Sequence, residues 1–164
     1  MGTARISVRD RSGGVTLVEL ITVIAIIAVL ASIAMPSLAA ALLNQRLRAA
    51  GTDLVSALLI ARSEAIKRGA PVEIAPQTPG DWKSGWKVAA VASGEQIDKK
   101  DPPGHRVEVT RAPAVVTYER NGRLPVAAVV RFEFSDSEGD PGIRRRCVTL
   151  DPSGMPRLVA SSCP

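Results

Sequence analysis

One histidine and two cysteines are all that this chain of 164 residues holds of the softer metal ligands. Structural zinc takes four such ligands at close spacing, so that class of site is excluded. The single histidine, His105, follows Pro102-Pro103-Gly104 in a loop-like stretch, and no acid–base or nucleophile set is legible around it. The chain therefore does not read as an enzyme, and no cofactor or metal is expected. Internal repeats and low-complexity tracts are missing too. So is an ordinary secretory signal, because no small-residue cleavage site follows the apolar core. Charge of one sign is scarce: the net charge is +5. Residues 1–14 hold Arg5, Arg9 and Arg11 against Asp10, which leaves only +3 for the remainder. That surplus is too small to argue for a nucleic-acid partner by itself.

What is present is a long apolar run. Val15 to Met35 is 21 residues with one charge, Glu19. As a helix this run is roughly 31 Å long, enough to cross a bilayer core. A single span can satisfy its backbone hydrogen bonds in lipid only as a helix. The arginines before it favour a cytoplasmic N-terminus and place the remainder across the membrane. A carboxylate in such a span is costly and usually marks function, although near the interface it is also compatible with a plain signal anchor.

The stretch Gly14-Val15-Thr16-Leu17-Val18-Glu19-Leu20 closely resembles the type III leader site of type IV pilins and type II secretion pseudopilins. The resemblance implies that a prepilin peptidase cuts after Gly14 and methylates the new amine of Val15. Val15 departs from the phenylalanine usual there. Glu19 becomes the fifth mature residue, the family's assembly glutamate, and Pro36 the twenty-second, where a helix-kinking proline is common. The physical reading agrees. A buried carboxylate wants a positive partner at its own depth, and the freed α-amine of a neighbouring subunit supplies one and sets axial register.

Val15 to about Gly69 reads as one helix with a weak point at Pro36. Leu43, Leu47, Ala50, Leu54, Leu58, Ala61 and Ala65 recur at helical spacing as one apolar stripe. Lys67, Arg68, Gly69 and Pro71 form a stop signal. Strand-like segments follow: 72–75, 86–92, 106–110, 114–118, 129–134, 146–150 and 157–160. Asp151-Pro152-Ser153-Gly154 should be the turn between the last two. Ser93 to Gly104 is polar and expected to be loop. The stripe next to strands predicts an α+β domain with the helix packed on antiparallel sheet. The expected organisation is a leader over 1–14, a transmembrane and filament-core half-helix over 15–35, an amphipathic half-helix over 36–69 and a periplasmic β-rich domain over 70–164.

The segments Ala61-Arg62-Ser63-Glu64-Ala65-Ile66-Lys67-Arg68-Gly69, then Val72, then Trp82-Lys83-Ser84-Gly85-Trp86, resemble the GspH/FimT family of minor pilins and pseudopilins. The implied fold is the pilin-like helix on β-sheets. The implied role is to initiate or cap a type II secretion pseudopilus or a type IV pilus. Partners would be other pilins, the prepilin peptidase and the inner membrane, crossed once with the C-terminal domain in the periplasm. Trp82 and Trp86 are expected to be core or sheet cover.

Some FimT-like proteins bind DNA through a C-terminal Gly-Arg-x-Arg motif, and here the matching turn reads Gly154-Met155-Pro156-Arg157. Met155 replaces the first arginine. Arg144, Arg145 and Arg146 could compensate, since phosphate contacts need charge more than a fixed motif. The competing reading is a solvated strand edge guarded by positive charge. DNA binding at a pilus tip is thus the alternative function. Asp136, Glu138, Gly139 and Asp140 could offer oxygens to calcium, but their spacing is not that of an EF-hand loop.

Cys147 and Cys163 lie in the segment read as exported, where an oxidising compartment allows pairing. They are expected to bond to each other rather than stay free or link subunits, closing a loop of about 15 residues worth roughly 3 kcal/mol in the chain-entropy model. If Leu150 pairs with Pro156, Cys147 lies opposite Val159, and the bond requires the tail 160–164 to fold back.

Overall fold

A computed structural model describes residues 14–125 and 129–164. The leader expected over 1–14, with Arg5, Arg9, Asp10 and Arg11, lies outside the described residues except for Gly14. The chain divides into two compact units, Met1–Leu38 and Ala39–Pro164. Helix α1 runs Leu17–Arg68, and position 36 falls inside it.

In the first unit, Thr16 starts the helix. Its Oγ1 accepts the Glu19 backbone N–H at 3.2 Å. Thr16 and Glu19 thus stand at the N-cap and third positions, the spacing of a capping box. The apolar side chains that follow, Leu17 to Met35, are exposed. This helix is long and apolar enough to cross a membrane, with an 18-residue window of mean hydropathy 2.7.

In the second unit the helix buries the whole expected stripe, with Leu47, Leu54, Leu58, Ala61 and Ala65 fully enclosed. It ends as the sequence indicates. Gly69 takes φ +61°, and the Ala70 N–H donates to the Ala65 carbonyl at 3.3 Å. Eight strands follow: β1 Val72–Thr78, β2 Asp81–Ala90, β3 Gln96–Lys100, β4 Val107–Thr110, β5 Val116–Tyr118, β6 Val130–Asp136, β7 Arg146–Leu150 and β8 Pro156–Val159. They make two antiparallel four-stranded sheets, ordered β3-β2-β1-β5 and β4-β6-β7-β8. β4 and β5 therefore cross over: β4 joins the second sheet before β5 returns to the first.

Two expectations need correction. Residues 96–100, expected as loop, form β3 on the edge of the first sheet. An edge strand pairs on one side only, so it needs few apolar residues, and Ile97 alone meets the core. β2 also begins at Asp81, well before Trp86. Trp82 and Trp86, four residues apart on this strand, both turn to its inward face. Both tryptophans are buried, and Trp82 meets Phe132 of the other sheet edge-on at 4.8 Å between centroids. That contact ties the two sheets together across the core.

Candidate functional site

The residues singled out by sequence fall in two places. Gly14 and Val15 lie just before the helix, without regular structure, and Glu19 sits exposed in its first turn. A peptide bond outside a helix is open to a protease, whereas one inside it is closed by backbone hydrogen bonding. Glu19 is the sole acidic residue in a run of exposed apolar side chains.

The rest gather on the second sheet. Cys147 and Cys163 are joined as a disulfide with Cα atoms 5.1 Å apart. β7 and β8 pair with Leu150 opposite Pro156 and Cys147 opposite Val159. The tail after Val159 folds back to reach Cys147. Its anchor is Glu133, a buried carboxylate that sequence reasoning missed. One Glu133 oxygen accepts the Cys163 backbone N–H at 2.8 Å, and the other takes Arg145 Nη1 at 2.8 Å. Arg111 Nη1 donates to the Cys163 carbonyl at 2.9 Å.

The four arginines considered for DNA do not share one surface. Arg145 is spent on Glu133. Arg146 pairs with Phe134 across the sheet, on the face that carries Val148 and Leu150 into the core. Arg157 pairs with Thr149, on the opposite face, where Arg131 flanks the same threonine. Arg144 is exposed, and its backbone N–H donates to Asn44 Oδ1 at 2.9 Å. Period-two alternation splits the set even though three of its members are consecutive.

The turn Asp151–Gly154 is built as its residues suggest. Asp151 Oδ1 accepts the Ser153 N–H at 2.8 Å and the Ser153 hydroxyl, and the Gly154 N–H closes on the Asp151 carbonyl at 2.9 Å. Gly154 takes φ +81° and is packed against the Tyr118 ring. The buried Tyr118 hydroxyl donates to the Gly154 carbonyl at 3.1 Å, and burial pushes its pKa up. Met155, at the position of the missing arginine, accepts a hydrogen bond at its sulfur from Arg62 Nη1 of α1, at 2.9 Å.

The acidic turn holds a guanidinium. Arg106 donates to Asp136 from Nε at 3.0 Å and from Nη2 at 2.7 Å, and Nη2 also lies 3.1 Å from Glu138. The Asp140 N–H donates to Asp136 Oδ2 at 3.0 Å. No cluster of metal-ligating groups exists among the described residues. The Arg106 hydrogen bonds, assisted by the backbone N–H donors of Asp140 and Glu138, outweigh burial and hold the Asp136 carboxyl at about 2, against an ordinary 3.8. A carboxyl depressed on folding stabilises the fold above its unfolded pKa and loses that contribution as pH falls through its folded one. Asp136 should therefore contribute about 2 kcal/mol at neutral pH, lost between roughly pH 4 and pH 2. Urea midpoints measured down this range should fall more steeply in the wild type than in Asp136→Asn. Parallel slopes would refute the assignment.

The profile of the family described as type II transport protein GspH matches residues 50–154, and that of the prokaryotic N-terminal methylation motif matches residues 9–35. No curated protein sequence matches the chain. Among solved structures, the type IV minor pilin FimU of Pseudomonas aeruginosa is similar, with TM-score 0.58 and 22% identity over 70% of this chain and 89% of FimU. The minor pseudopilin EpsH from the type 2 secretion system of Vibrio cholerae is similar at TM-score 0.51 and 13% identity, over 69% of this chain and 95% of EpsH. A long N-terminal helix, two antiparallel sheets, a methylation motif at the start of the apolar run and a profile match across most of the second unit converge: the chain belongs to the GspH family of minor pseudopilins and minor pilins.

Proposed function

We propose that this chain is a minor subunit that helps initiate or cap a filament of the type II secretion or type IV pilus kind. The observation that carries the reading is the exposed apolar helix, with Glu19 its one charge up to Met35, that begins directly after Gly14-Val15-Thr16. Such a surface is untenable in water and belongs in lipid or among like helices. In this proposal prepilin peptidase cuts after Gly14 and methylates Val15. The inner membrane holds residues 15–35 until assembly, with the β-rich domain of residues 70–164 in the periplasm. Residues 36–69 form the amphipathic half-helix, and Pro36 supplies local give in its backbone. Glu19 then pairs with a neighbouring subunit's α-amine.

DNA capture receives less support from the geometry, because Arg146 and Arg157 occupy opposite faces and Arg145 is already paired. A phosphate track needs its cations on one surface.

The test is intact-mass analysis of the chain expressed with and without a prepilin peptidase. The expected product with the peptidase lacks residues 1–14 and carries one added methyl on Val15. An unprocessed N-terminus in the peptidase-bearing host would overturn the reading.

A further inference from the structure

A cavity of about 350 Å³ lies between α1 and the end of the second sheet, lined by Arg48, Arg146, Leu158 and Ala160. Both polar members are arginines. Neither makes a salt bridge among the described residues, while Asp53, Glu64, Glu95, Glu108, Glu133, Asp136 and Glu138 are each matched to another cation. Arg146 reaches the notch from the core-facing side of β7, and its Nε is buried without a hydrogen-bond partner. A desolvated, unpaired guanidinium N–H is unfavourable, and a second guanidinium on the same cavity adds repulsion. A single anion shared by the two would relieve both costs, since paired arginines recognise an oxyanion by parallel N–H donors.

We infer that this notch receives one carboxylate side chain, aspartate or glutamate, from a neighbouring subunit; the assignment of the source rests on the filament reading above. The walls favour that occupant. Leu158 and Ala160 offer apolar contact to a methylene stem beside the two charges. A nucleic-acid backbone would instead need a row of cations outside the notch, and two of the arginines close in sequence are diverted, Arg145 to Glu133 and Arg157 to the far face.

The test uses the full chain in detergent with its arginine side chains labelled for NMR. Titration with propionate should shift the Arg146 Nε–H resonance saturably, and Arg48→Gln should weaken that binding at least fivefold. A shift that is absent, or identical in Arg48→Gln, overturns the site. In cells, joint Arg48→Gln and Arg146→Gln should lower recovery in sheared filaments at least fivefold, with membrane level and disulfide unchanged, and joint replacement by Lys should restore part of it. Full recovery of the double Gln variant overturns the subunit contact. That failure is distinguishable from failure of the filament reading, because Glu19→Ala would still be excluded from filaments. Duplex DNA binding by the wild type that disappears in the double Gln variant would assign the notch to phosphate and overturn the carboxylate.

Discussion

Glu19→Ala should reach the membrane as well as the wild type and yet fall at least tenfold in sheared filament fractions. Insertion should not suffer, because a carboxylate within an apolar span costs up to roughly 3 kcal/mol on insertion scales, and alanine removes that cost. The helix start should not suffer either. The bond that caps it runs from the Glu19 backbone N–H to Thr16 Oγ1 and does not involve the Glu19 side chain. Among the described residues no hydrogen bond or salt bridge reaches the Glu19 carboxylate, so its removal leaves the subunit's own fold intact. Under the proposed mechanism the substitution removes the carboxylate that meets a neighbour's α-amine in lipid, where an unpaired amine is strongly disfavoured. Glu19→Gln separates charge from hydrogen bonding and should resemble Ala. Equal recovery of either variant and the wild type would dismiss the amine-pairing mechanism.

Gly154→Val should destabilise the second unit by about 4 kcal/mol, combining a branched residue at positive φ with steric displacement of a packed turn. A Cβ at this position would stand 2.8 Å from the Tyr118 ring and press on the Gly122 carbonyl. Shifting the turn away also breaks the bond from the Tyr118 hydroxyl to the Gly154 carbonyl, leaving a buried donor without a partner. Urea unfolding of the full chain in detergent, followed by Trp82 and Trp86 fluorescence, measures the loss. A change below about 1 kcal/mol would show that the turn relaxes freely. The same experiment bears on the Gly-Arg-x-Arg resemblance. Gly154 has a sufficient structural reason to be glycine, so its presence is no argument for DNA.

Much of the architecture was legible because local chemistry and burial agree. The stripe from Leu43 to Ala65 is the buried face of α1, and the turn residues Asp151 to Gly154 set the register that puts Cys147 opposite Val159. β3 was illegible because an edge strand need not look apolar: Gln96-Ile97-Asp98-Lys99-Lys100 has one core residue. The arginine arrangement was hidden for a different reason. Which face a strand residue takes depends on partners far away in sequence, and only Arg146 opposite Phe134 and Arg157 opposite Thr149 reveal the split. The Arg106–Asp136 and Arg145–Glu133 pairs are likewise products of β4, β6 and β7 coming together, with no signal in any local window.

The crossover of β4 and β5 has a consequence for how the domain can be made. Strands 1, 2, 3 and 5 can assemble from residues 72–118 alone, but β4, in the middle of that segment, has no hydrogen-bonding partner until β6 arrives at residues 130–136. β6 in turn is completed by β7 and β8, and the clasp of Cys163 on Glu133 comes from the final residues described. A chain emerging N-terminus first must therefore keep β4 unsatisfied until nearly all of it is available, and such long-range pairing is slow. No cut between the two sheets yields a self-sufficient half. In the proposed filament role, where the domain crosses the membrane as an unfolded thread, this order of completion delays the compact state until the thread has passed.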